Sequence, residues 1–177
     1  MSRFAFLTIL VAFFFLVACN AAYSQCPKVD VGHGVYTSGV YSDGVVAFCH
    51  SYDPDYPLNV LLYRHSNACE GVRFDKYSVE CSAPKIDYVF GREYRGKPLL
   101  FVIVSWRLNN RGAGVYGKFY QVYAYEKDGK DGLKVDQAIV SRNNMTGIEG
   151  TDQNRTSRFH CKTPSGVDKL LGLSSDK

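Results

Sequence analysis

The sequence has no C-x-x-C unit and no paired Cys/His spacing of the zinc-binding kind, so nothing in it calls for a structural metal. It has no G-x-G-x-x-G and no Walker-type phosphate loop, which removes the common nucleotide-binding chemistries. No cluster of Lys and Arg interleaves with aromatics, and a formal net charge of +4 over 177 residues is mild. Nucleic acid is therefore not an expected partner. No cofactor is implied. After the N-terminal run no long stretch carries helical periodicity, which excludes a fold built mainly of helices. Linkers, low-complexity runs and strong internal repeats are also missing. No Asp or Glu precedes Asp30.

That last absence accompanies a targeting pattern. "MSRFAFLTILVAFFFLVAC" opens with Arg3 and continues as an apolar run from Phe4 to Ala18. A short positive region followed by an apolar one is the form of a signal peptide. The run is about 15 residues long, short of the roughly 20 that span a bilayer. Two processing readings stand side by side. "LVAC", Leu16 to Cys19, resembles a lipobox, with Cys19 as the lipidation candidate and residues 1–18 removed. Ordinary signal-peptidase cleavage would follow "AYS" and remove residues 1–24. Residues 25–177 then form a single β-rich domain, a length that supports one real core. The expected location is the periplasm, or the outer membrane if Cys19 carries lipid. Contact with a membrane is expected only through that anchor.

Export places the cysteines in an oxidising compartment, where disulfides persist. Cys69 and Cys81 flank "EGVRFDKYSVE" and suggest a disulfide-closed excursion. Such a bridge would contribute roughly 3 kcal/mol in the chain-entropy model. Cys161 is a candidate to pair with Cys26 or with Cys49; an odd number of mature cysteines leaves at least one thiol free.

Short apolar runs of period two, separated by turn residues, are the strand signature. "VVAFCH", "LNVLLYR", "IDYVFGREY", "PLLFVIVSWRL" and "KFYQVYAY" fit it, and "LKVDQAIV" continues the series. "LLFVIVS" is apolar at every position but its last, which predicts a central strand covered on both faces. The stretch Ile86–Val140 reads as four consecutive antiparallel strands. "SRNNMTGIEGTDQNRTS" reads as a polar loop with at most a brief strand, and "RFHCK" as a short strand. Only "TPSGVDKLLGL" looks helical, with Thr163 as N-cap and Pro164 in the first turn. The expected fold is all-β: antiparallel meander or sandwich-like sheets with one short C-terminal helix.

Cys49 beside His50 is a thiol and an imidazole in sequence, but neighbours on a strand face opposite sides. Asp53 and Asp55 in "SYDPDYP" pair two carboxylates, as glycosidase chemistry or calcium binding would use, but they read as a solvated Asx/Pro turn. No enzyme is implied. The remaining feature is "SWRLNNRGAGVYGK". Seven residues, Leu108 to Gly114, join two strand-forming runs where two would suffice. Asn109, Asn110, Arg111 and Gly112 would offer donors and left-handed backbone at its tip, and long loops on rigid strands collect binding residues. Trp106 and Tyr116 would buttress it.

An exported chain of about 150 residues with "PLLFVIVSW", a looped return and "YQVYAY" resembles the periplasmic immunity proteins of type VI secretion. In particular it looks similar to those that neutralise peptidoglycan amidase effectors, over residues 86–172. The resemblance implies a protein without enzymatic activity, whose partner is a cognate secreted hydrolase. It implies a loop that plugs the active-site cleft of a Cys-His amidase. A hydroxyl-bearing residue makes that contact in the family; this chain has Asn109 and Asn110 there, so an amide makes it or the target differs. The other readings are a scaffold or ligand-binding lipoprotein and a secreted enzyme built on Cys49 or on Asp53 and Asp55.

Overall fold

The computed structural model describes residues 35–64 and 71–173. The leader, Cys19, Cys26 and Cys69 lie outside them. The first sheet is a meander of four antiparallel strands in chain order: β1 (Val35–Thr37), β2 (Gly44–His50), β3 (Leu58–Arg64) and β4 (Val72–Tyr77). The second contains β5 (Lys85–Tyr94), β6 (Lys97–Asn110), β7 (Val115–Asp128), β8 (Gly132–Val135), β9 (Thr146–Asp152) and β10 (Arg155–Ser157). Its order is β10-β9-β7-β6-β5. β7 is long enough to hold two neighbours on one edge: β9 along Tyr116–Gln121 and β8 along Tyr125–Asp128. The described residues also form two α-helices, α1 (Gln137–Val140) and α2 (Pro164–Leu171).

β6 organises the molecule. Residues 99–106 are all buried, and successive side chains point to opposite faces. Leu100, Val102, Val104 and Trp106 face the first sheet, where Val46, Phe48, Leu58, Val60, Leu62 and Tyr77 meet them. Leu99, Phe101 and Ile103 face the other way, onto Ile139, Met145, Phe159, Val167 and Leu171. The result is three layers: sheet, sheet, and a cover of helix and irregular chain. Each fully buried aliphatic or Phe side chain contributes about 1.5–3 kcal/mol of transfer free energy. The doubly apolar run therefore behaves as expected, and the all-β class with one short C-terminal helix holds. α2 begins as its residues predict: the Thr163 side chain accepts from Gly166 N–H, and Pro164 occupies the first turn.

Polar ties cross the layers at several points, among them the Tyr41 hydroxyl to Gly132 O at 2.8 Å and Arg64 Nη1 to Lys130 O at 2.9 Å. Between the sheets the Tyr125 hydroxyl donates to Asp75 Oδ2 (2.6 Å) and lies 2.8 Å from the Tyr77 hydroxyl. Burial pushes the Asp75 carboxyl up from its ordinary range, against the Tyr125 hydrogen bond that pulls it down. On the other side the Arg92 guanidinium grips the buried Asp168 of α2 with two hydrogen bonds, at 2.9 and 3.1 Å. That fork fastens the helix to β5.

Several expectations are corrected. "VRFDKY" is not an excursion but the edge strand β4, exposed at Val72, Arg73 and Lys76 and buried at Tyr77. "LKVDQAIV" stops as a strand at Val135, because Asp136 caps α1 by accepting from Ile139 N–H. The polar tract after Val140 contains a whole hairpin, β9–β10, and "RFHCK" is irregular. Cys49, Cys81 and Cys161 are free thiols. Cys49 sits on β2 of the first sheet and Cys161 in the second core, with the second sheet lying between the two regions, so these two form no bridge. Cys81 is exposed in the β4–β5 connection.

Candidate functional site

The β6–β7 hairpin is the longest in the fold, and its end projects past the core. β6 and β7 stay paired from Leu100–Tyr125 to Asn110–Val115. The expected seven-residue loop is therefore too long. Leu108, Asn109 and Asn110 are strand residues, and Arg111–Ala113 form a single 3-10 turn closed by Gly114. Strand pairing continues outward because Asn109 and Tyr116 stand directly across from one another, as do Leu108 and Gly117.

The turn is held from within and from the side. The Asn110 Oδ1 accepts from Ala113 N–H at 3.1 Å, and Gly114 N–H donates to Arg111 O at 3.1 Å. Gly114 has φ +64, the left-handed conformation that glycine adopts without steric penalty. The β9–β10 turn, Gln153 and Asn154, lies alongside. Asn154 N–H donates to Gly114 O at 3.1 Å, and a Cβ at Gly114 would collide with the Asn154 amide. Below, Trp106 is buried and its Nε1–H donates to Ser78 O at 2.9 Å, while Arg107 N–H donates to Ser82 Oγ at 2.7 Å. The β4–β5 connection is thus strapped to the base of the hairpin.

What remains exposed is a compact polar tip. Asn109, Asn110, Arg111, Gly112 and Ala113 all face solvent, and Tyr116 is half exposed. No salt bridge engages Arg107 or Arg111 among the described residues. All four expected tip residues are gathered at this end, but with divided roles: Asn110 holds the turn, and Asn109 and Arg111 have side chains to offer. Trp106 supports the hairpin as expected. Tyr116 does not buttress the turn; it adds exposed aromatic surface. Sequence reasoning missed the flanking turn at Gln153–Asn154, whose D-Q-N-R pattern is itself a turn signal. Glycine allows the two hairpins to approach. Gly117 (φ +130) and Gly150 (φ +140) face each other across β7 and β9, and a Cβ on either would strike the opposite backbone.

No protein-family model, curated protein or solved structure matches this chain.

The catalytic alternatives gain little from the geometry. Burial pushes the Cys49 thiol up, away from the thiolate a nucleophile needs. Asp53 Oδ1 accepts from the N–H groups of Asp55 (3.0 Å) and Tyr56 (3.3 Å), an Asx turn. Lys76 sits 3.8 Å from Asp53 and 3.4 Å above the Tyr56 ring. Among the described residues no three of His, Cys, Asp and Glu group as metal ligands would, and no helix is long and apolar enough to cross a membrane.

Proposed function

We propose that the protein is an exported inhibitor of the immunity type, which binds a cell-wall-degrading peptidoglycan amidase and covers its active site with the end of the β6–β7 hairpin. The observation that carries this reading is the braced tip. An inhibitor that fills a cleft loses affinity for every residue it must order on binding. Here the turn is pinned by Asn110, by Gly114 and by the Asn154 turn beside it. Arg111 offers a fork of donors with no ion-pair partner among the described residues, and Tyr116 adds half-exposed aromatic surface. Arginine and tyrosine are the residue types that most often dominate binding energy. The leader pattern supports action in the periplasm, free or anchored through Cys19.

The test uses the mature protein purified from an oxidising compartment and the exported hydrolase encoded beside it. Peptidoglycan cleavage should stop at one equivalent. The Asn109→Ala/Arg111→Ala double variant should fold normally and bind about thirtyfold more weakly or worse. Asn110 is left in place because its amide holds the turn. Absence of inhibition by the unaltered protein would overturn the reading, and unchanged affinity in the double variant would remove the tip from it.

A further inference from the structure

A second surface lies away from the hairpin tip. A cavity of about 600 Å³ opens between β9, the segment 157–161 and α2. That is the size of a small-ligand site. Its wall on the β9 side is a free strand edge. β10 pairs only with Gly150, Thr151 and Asp152, and its closing pair is Asp152–Arg155. In an antiparallel strand the backbone groups of alternate residues point to the same edge. The groups of Gly150 and Asp152 point to β10, so those of Thr146 and Ile148 point the same way, into the cavity. Asn154 N–H to Gly114 O and Val122 N–H to Met145 O agree with this phase, since both place even-numbered β7-side groups toward β9. No protein group bonds the outward N–H and C=O of Thr146 or Ile148 among the described residues.

The opposite wall is α2, through Gly166, Lys169 and Leu170. Phe159 forms part of the lining, stacked on Tyr120 with ring centroids 5.5 Å apart. The charge on the lining has one sign: Arg158 and Lys169, with His160 beside them and no carboxylate. The adjacent carboxylate, Glu149, is already held by Lys162 at 2.6 Å and by Phe159 N–H at 2.9 Å. Neither Arg158 nor Lys169 makes a salt bridge among the described residues.

A free strand edge facing a helix, with two cations at hand of which Arg158 also acts on the Glu149 carboxylate, is a receptor for extended backbone ending in negative charge. We propose that this groove binds a short extended peptide with a free carboxylate, which adds to β9 at Thr146 and Ile148 and places its carboxylate on Arg158 and Lys169. Backbone bonding to two residues limits the match to a few residues of peptide, in keeping with the cavity volume. The site is separate from the hairpin tip and independent of the inhibitor reading.

The probe is a mixed library of N-acetylated tetrapeptides with free C-terminal carboxylates, titrated into isotopically labelled mature protein. The amide resonances of Thr146 and Ile148 should shift, saturably. The C-terminally amidated library and Arg158→Gln/Lys169→Gln should each weaken binding about tenfold or more. A backbone N-methylated library should fail to bind, because it cannot pair as a strand. No shift at Thr146 or Ile148 at millimolar library would overturn the proposal. So would equal binding of the N-methylated library, or inorganic phosphate producing the same shifts, since either would mark a site for charge alone.

Discussion

The Tyr125 hydroxyl ties the two sheets together through Asp75 and Tyr77, and Tyr125→Phe isolates it. The substitution keeps the ring, which packs edge-on against Phe74 with centroids 5.0 Å apart. It removes the donor to Asp75 and the partner of Tyr77. A hydrogen bond to a charged acceptor is worth about 1.5–3 kcal/mol and a neutral one about 1, so the loss at neutral pH should be about 2–4 kcal/mol. With a urea dependence of about 2 kcal/mol per molar, the unfolding midpoint falls by about 1–2 M. The loss should also depend on pH. The Asp75 carboxyl is raised in the folded protein, mainly by burial. Its contribution is therefore fully present below the unfolded value, about 3.9, and declines as pH rises through the folded value. Without the Tyr125 hydrogen bond the folded value rises further, and the charged form is disfavoured more at neutral pH. The variant should thus be penalised more at pH 7 than at about pH 4. Trp106, the single tryptophan, is buried between the sheets and reports unfolding by fluorescence. Equal destabilisation at both pH values, or a loss under about 0.5 kcal/mol, would refute the role given to this hydroxyl.

Two further outcomes follow from the layers. Gly150→Ala should lower stability by about 3 kcal/mol or more, through positive φ and collision with Tyr116 O across the strand pair, read as a fall in melting temperature. Arg92→Ala should cost about 3 kcal/mol because it strands the buried Asp168 carboxylate; Asp168→Ala should cost less, about 1–2 kcal/mol, because Arg92 can turn to solvent. In the Arg92 and Asp168 variants, hydrogen exchange should rise first in α2.

Much of this was legible in the residues. An apolar run on both faces demanded a covered strand, and β6 is one. Thr163 and Pro164 announced α2. β4 was missed because an edge strand carries charge: Arg73 and Lys76 face water while Tyr77 is buried. β9 was hidden for a different reason. Its Gly147 lies beneath the Phe159 ring and its Gly150 against Gly117, so contacts made far along the chain select residues that look like loop. The tip was placed correctly but drawn too long, since Asn109 and Asn110 lie beyond the core and no apolar pattern marked them as strand. The free edge of β9 left no mark on composition at all; it follows from the register alone.

The order in which the chain is made gives β6 a further significance. Both sheets are largely meanders, so most strands find their partner in the segment just synthesised, with little loop to close. β6 is the exception in timing. One of its faces can be covered by the sheet already formed, but Phe101 and Ile103 wait for Phe159, Val167 and Leu171, near the end of the chain. Until α2 emerges, the most apolar strand of the fold remains bare on one side, and a nascent chain in that interval is an aggregation hazard. Arg92 and Asp168 end the interval by latching the final helix shut.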